Sequence, residues 1–307
     1  MTINQHLSEY AGLPVEEFSN TTAQDAVLPP AGERAWRVRT EYDETPITDV
    51  WRRFREQVDT TQVTTLIFGF WAEPYEGKVD HPVYFLLKAA AEFPNLRSLF
   101  IGDLVMEESE VSWIHHNDIT PLFAAFPALE RFDLRGSQEL RLEPFSAPSL
   151  RTLRFEDGGL PGHIVRAVGA SDLPNLEHLD LWLGTDNYGG DATVGDLAPI
   201  LAGDRLPALK HLGLENAEIA DEVAAAVAGA PIVARLEELS LALGALSDQG
   251  AEALLSGQPL THLRVLDLHH HFMEDAMMQR VRSELPNADV SSQQPSEDEW
   301  RFITVSE

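Results

Sequence analysis

Two histidines and a carboxylate, His178, His211 and Glu238, recur at one place in successive copies of a short apolar pattern. Two imidazoles and a carboxylate are the donor set of a borderline metal such as zinc. The same donors are also common on solvated surfaces, so ordinary polar surface is the expectation and no metal or cofactor is expected. His269 and His271 would share one side of an extended chain, and the pair His115 and His116 fits a loop that precedes a helix. A second set alternates in charge: Asp133, Arg154 and Asp180, with Arg135, Glu156 and Trp182 beside them. If their segments pair as strands about 4.8 Å apart, they form a cross-strand ladder. A third set is aromatic and acidic. Trp71, Glu73, Asp103, Glu108, Trp113, Trp182 and Tyr188 all fall just after apolar segments, where loops gather at one edge. Tryptophan and tyrosine beside arginine form the most productive contacts of protein interfaces. We therefore expect the partner-binding residues among Trp71, Glu73, Asp103, Glu108, Trp113, Arg135, Arg154, Trp182 and Tyr188.

Signatures of catalysis are missing. The chain has no nucleophile elbow, phosphate-binding loop, zinc-protease helix or dinucleotide fingerprint. The glycines at 189, 190 and 195 lack the lysine a phosphate loop needs and mark a turn into a helix. The remaining enzymatic alternative is an acidic site at the strand-end rim, built from Asp103, Glu107, Glu108 and the loop after Trp182.

The elements that would position these residues are legible as repeats. Apolar residues stand at the first, fourth and sixth places of a six-residue pattern that starts at 96, 129, 150, 176, 209, 236 and 263, with a looser copy at 63. Leu176, Leu179 and Leu181 are one copy, and Leu209, Leu212 and Leu214 the next. This is a leucine-rich repeat array. Strands are expected at 64–68, 97–101, 130–134, 151–155, 177–181, 210–214, 237–241 and 264–268. Helically spaced apolar residues fill most intervals, and Thr120 followed by Pro121 reads as an N-cap with proline in the first turn. The interval from 129 to 150 is too short for a helix, and residues 138–144 read as extended chain. Prolines 94, 127, 148, 174 and 207 end the helices and set an extended entry to five strands.

The expected fold is a right-handed α/β solenoid, a horseshoe with a parallel inner sheet and outer helices. Residues 1–62 are assigned to an N-terminal cap, 63–285 to the repeats and 286–307 to a C-terminal cap. Within the caps we expect a strand over 36–42, a helix over 48–58 and a closing strand over 300–305. In each repeat strand the apolar residues point to the core, so those between and after them face the concave surface.

Composition narrows the partners. The 307 residues carry 22 basic and 50 acidic side chains, a net charge of −28. Phosphate backbones and anionic lipids are bound by lysine and arginine, so neither nucleic acid nor membrane is an expected partner. There is no cysteine, which removes disulfides, thiolate metal sites and cysteine nucleophiles. The first residues have neither the basic nor the apolar region of a secretory leader. A cytoplasmic protein that binds an unknown protein partner, and is more of a scaffold than an enzyme, is the expectation.

Several segments go beyond the repeat pattern. They are residues 102–114 with Asp103 and Trp113, residues 172–185 with Trp182, residues 188–191 with Tyr188, and residues 254–263 and 266–270. In these the whole chain resembles a family of uncharacterised cytoplasmic leucine-rich repeat proteins of actinomycete type, with ribonuclease-inhibitor-like repeats. The resemblance implies the fold and brings no activity with it. No asparagine ladder can form after the strands, because those positions are Trp71, Leu104, Ser137, Gly158, Gly184, Ala217, Gly244 and His271. Each turn must satisfy its backbone separately.

Overall fold

A computed structural model describes residues 3–41, 45–71, 81–295 and 301–306. Tertiary contacts gather into two compact units, one of Met1–Leu142 with Ser146–Thr152, the other of Glu143–Phe145 with Leu153–Glu307. The sequence reading of one continuous repeat body did not anticipate this division. It falls where the repeat has no helix. A stretch of that kind brings fewer side chains to a core than a full strand and helix. Residues 138 and 141 there make only isolated parallel bridges, to His115 and Asp118.

The first unit holds strands β1 (Glu9–Tyr10), β2 (Leu13–Phe18), β3 (Ala35–Val38), β4 (Thr65–Phe68), β5 (Ser98–Ile101) and β6 (Arg131–Arg135), in spatial order β1 to β6. All pairings from β2 onward are parallel, and β1 turns back antiparallel on β2. The repeat pattern sets the register: Leu66 stands opposite Leu99, and Leu99 opposite Phe132. A slip of one residue would put every one of these on the other face. Helices α1 (Ile47–Gln57), α2 (Pro82–Lys88) and α3 (Thr120–Ala125) cover one side. Trp51 on α1 stacks on Phe54 and Phe93 and touches Phe68 and Phe85, so an aromatic cluster fills the core beneath β4. In α3, Thr120 lies inside the helix, and the Asp118 carboxylate accepts its backbone N–H at 2.9 Å. The N-cap position itself is Ile119, without a side-chain cap, and Asp118 satisfies the first N–H of the helix from one residue further out.

The second unit holds β7 (Thr152–Glu156, from Leu153), β8 (His178–Gly184), β9 (His211–Ala217), β10 (Glu238–Ser240), β11 (Val265–Asp267) and β12 (Ala288–Asp289), again in chain order. Helices α4 (Gly162–Ala170), α5 (Val194–Ala202), α6 (Ala220–Val227), α7 (Asp248–Ser256) and α8 (Asp275–Glu284) alternate with them. Leu179, Leu212, Leu239 and Leu266 pair across successive strands and are fully buried. Every strand expected from the seven repeats and the copy at 63 forms, starting one residue later than read. The closing strand differs. Residues 301–306 form no strand: Thr304 donates its N–H to Leu243 O, and the Asn216 side chain brackets the Val305 backbone. The strand that continues the sheet is β12, paired with β11. A side chain has taken over the hydrogen bonding that a ladder would have supplied, so the tail needs no strand geometry.

Candidate functional site

Strand residues alternate between two faces, and the leucines take the face toward the helices. The opposite face carries the residues read as chemistry. The two units treat it differently.

In the first unit that face is covered by the chain itself. The outward column of β3 to β6 is Arg37, Ile67, Phe100 and Asp133. Tyr10 packs with Ala35, Ile67 and Phe100, and Leu7, Leu13 and Val15 complete the apolar cover. The Tyr10 hydroxyl donates to Asp133 at 2.5 Å, and Arg131 pairs with the same carboxylate at 2.6 Å and lies over the Tyr10 ring. Burial, with the Asp133 charge beside it, pushes the Tyr10 phenol well up, so it stays a donor. Arg37 binds Asp103 through Nε at 2.8 Å and donates from Nη2 to Leu7 O. Arg39 pairs with Glu108 at 2.6 Å, and His6 lies 3.3 Å from the same carboxylate. Burial tends to raise the Glu108 pKa, but His6 and Arg39 outweigh it and hold the group below its usual value. Asp103 and Glu108 are therefore bound partners of arginines, and the rim reading of an enzyme gains nothing from them. The sequence signal for this cover was present: Ile67 and Phe100 in an outward column demand burial by something.

The aromatic rim needs correction. Trp71, Arg135 and Trp182 are each 2 % exposed, whereas Trp113 is 50 % exposed. Trp71 packs on His81 and His116, whose rings are linked Nε2 to Nδ1 at 3.0 Å. Burial lowers both imidazoles, His116 to about 4, so this pair is neutral at physiological pH. Arg135 donates to Leu104 O at 2.6 Å and lies over Phe100. Trp182 donates its indole N–H to Glu215 at 2.8 Å beneath Arg154. Each of the three is buried because remote repeats supply polar partners for its heteroatoms or faces for its ring, which local spacing does not reveal. Tyr188 and Arg154 are partly buried, and Glu73 lies outside the described residues.

The second unit presents a part-exposed polar grid. Column by column it reads His178, His211, Glu238 and Val265, then Asp180, Gly213, Ser240 and Asp267, then Trp182 and Glu215. Asp180 is the hub. His178 Nε2 lies 2.7 Å from its Oδ2 and His211 Nε2 lies 2.8 Å from its Oδ1. Arg154 stands 3.7 Å from Oδ2, and closer, at 3.0 Å, to Glu156. The expected pairing of Arg154 with Asp180 is therefore present. The imidazoles of His178 and His211 stack with centroids 3.8 Å apart and planes 6° from parallel. His211 Nδ1 lies 2.8 Å from Glu238 Oε2, and Arg264 pairs with the other Glu238 oxygen. Burial opposes charge on Asp180, yet the two histidines and Arg154 overcome it and hold the carboxyl far below its usual range. Glu215 is the reverse case: burial, then the Asp180 charge, raise it. At β11, His269 sits 2.8 Å from Asp267. The chain then takes a left-handed turn at His270, and His271 is buried against Val290 O and Met273 N, so His269 and His271 are not paired on one side.

The chain is similar in fold to a protein from Bacteroides fragilis of known crystal structure. The match has a TM-score of 0.81 at 28 % identity and covers 89 % of this chain and 78 % of the other. An internalin from Listeria monocytogenes aligns at 16 % identity with a TM-score of 0.44, over 83 % of this chain and 61 % of that one. No protein-family model and no curated protein sequence matches the chain. The α/β leucine-rich repeat fold follows from the repeats, the register and the first of these matches together. No helix among the described residues is long and apolar enough to cross a membrane.

Proposed function

We propose that the chain is a protein-interaction module whose contact surface is the sheet face of β8 to β11 in the second unit. The observation that carries this reading is the contrast between the two faces. In the first unit Tyr10, Leu7 and Leu13 cover the outward column, whereas His178, Glu238, Arg264, Asp267 and His269 keep solvent contact. Parallel strands hold such side chains in rows about 4.8 Å apart, a spacing that favours recognition of an extended, polar partner surface. Carboxylates predominate on the grid, and the chain carries −28 overall, so the partner presents lysine or arginine. Trp113, exposed in the first unit, is proposed as a separate contact, with Tyr188 and Arg154 as candidates in the second. The same proposal sets the protein in the cytoplasm, on its cysteine-free composition.

Quantitative capture from the native host tests the surface. The native chain and a Glu238→Gln, Asp267→Asn double variant serve as paired baits. A protein retained by the first and depleted at least about tenfold with the second is expected, because loss of charge contacts worth about 1.4 kcal/mol changes affinity by that factor. Identical recovery with both baits, each folded by circular dichroism, would refute the assignment of this face.

A further inference from the structure

We propose that His178, Asp180 and His211 bind one divalent transition-metal ion of the zinc class, with Glu238 acting as a positioning residue for His211. These residues lie on the proposed contact surface, but the inference rests on their own geometry and is tested by metal uptake without any partner. One donor atom from each of the three residues lies within 4.8 Å of the others. Two imidazoles and a carboxylate are a complete set of protein ligands for a zinc-type ion that keeps an open position.

Three observations support the set beyond proximity. First, both Nε2 atoms are directed at one carboxylate, at 2.7 and 2.8 Å. Both imidazoles therefore already turn the same ring nitrogen to that carboxylate, and a metal ion would take the place of these two contacts. Second, Glu238 holds His211 Nδ1 at 2.8 Å. A carboxylate on the far nitrogen keeps the proton there, which leaves Nε2 free to ligate, the arrangement that orients histidines in metal sites. Third, the strand beside Asp180 has a glycine where a side chain would block the site: a Cβ at Gly213 would lie 2.2 Å from Asp180 Oδ1. The absence of that carbon lets the carboxylate lean across to the neighbouring strand and reach His211.

The electrostatic setting favours a cation. Glu156, Glu215, Glu238 and Asp267 surround the three ligands, against Arg154 and Arg264. Arg154, whose Nε is 3.7 Å from Asp180 Oδ2, already pairs more closely with Glu156 and can remain there. Entry of the ion requires the parallel stack of His178 and His211 to splay, so that both lone pairs converge at a metal–nitrogen distance of about 2.0–2.1 Å. The reaction is an exchange: metal in, up to two Nε2 protons out, with affinity rising as pH rises.

The test uses the full-length chain without a histidine tag, stripped with chelator and titrated with Co²⁺ and Zn²⁺. Expected are uptake of one ion per chain, visible ligand-field bands with Co²⁺ that Zn²⁺ displaces, and proton release seen as a buffer-dependent binding enthalpy. His178→Ala and His211→Ala should abolish the bands, His269→Ala should keep them, and Glu238→Gln should weaken binding about 10- to 100-fold. Should the histidine variants fail to fold, diethyl pyrocarbonate footprinting of the native chain decides: Zn²⁺ must protect His178 and His211. No stoichiometric uptake at neutral pH, uptake unchanged in the folded His178→Ala, His211→Ala double variant, or no protection of these two histidines overturns the proposal.

Discussion

Gly213→Ala places a methyl group where the Asp180 carboxylate now lies. Gly213 has an ordinary strand backbone, and glycine to alanine in a compatible conformation stabilises by about 0.4–1 kcal/mol through the unfolded chain. Here the new Cβ would stand 2.2 Å from Asp180 Oδ1 and 3.1 Å from its Cγ. Relief to an ordinary contact moves Oδ1 by about 1 Å, which stretches the 2.8 Å contact with His211 Nε2 beyond hydrogen-bond range. A hydrogen bond to a charged group contributes about 1.5–3 kcal/mol. Setting that loss against the backbone gain leaves a net destabilisation of about 1–2 kcal/mol. Urea unfolding followed by tryptophan fluorescence reads this as a shift in midpoint at constant slope, provided far-UV circular dichroism gives a coincident transition. A double-mutant cycle isolates the cause. In an Asp180→Ala background the clash is gone, and Gly213→Ala should become neutral or stabilising, so the two changes couple by about 1–2 kcal/mol or more. Equal destabilisation in both backgrounds would show that Gly213 is needed for the strand and not for the carboxylate, and the account of the hub would fail.

Two further outcomes follow from the same geometry. Asp180 titrates below its unfolded value in the native chain, so its contribution is complete above about pH 4 and is lost as pH falls further through the folded pKa. Asp180→Asn should flatten the acid limb of the urea-midpoint profile below pH 4, and an unchanged slope would remove the hub from the acid response. Leu179→Ala, in the fully buried column of β8 and β9, should destabilise by about 2–5 kcal/mol through the cavity it leaves. A loss within measurement error would mean that the repeat register is misassigned.

What local periodicity could decide was legible in the chain. The apolar positions of each repeat specify strand, face and register together, because a period of two leaves only one way to bury Leu179 and Leu181. That same alternation put His178, His211 and Glu238 in one row and Asp180 and Asp267 in the next. The cap helix was legible for the same reason, at Ile47–Gln57, and the cap strand in part: it runs Ala35–Val38, whereas 36–42 was read and residue 42 lies outside the described residues.

Whether an outward residue meets solvent depends on chain that folds over it from elsewhere, and no local pattern carries that. Tyr10 reaches Asp133, His116 reaches Trp71, and Glu215 satisfies the Trp182 indole, each across a separation in which spacing has no meaning. The last two contacts, with that of Arg135 to Leu104 O, turned three residues read as a recognition rim into interior ones. The convergence of two histidines on Asp180 likewise required side-chain directions: the row was visible in sequence, but only packing shows that Gly213 leaves room for the carboxylate to cross between strands. The tertiary structure also decided where the sheet ends, since Asn216 binds the backbone at Val305 and the continuation passes to Ala288–Asp289. Periodicity acts over a few residues and sets a face; burial and convergence are properties of surfaces brought together by the whole fold.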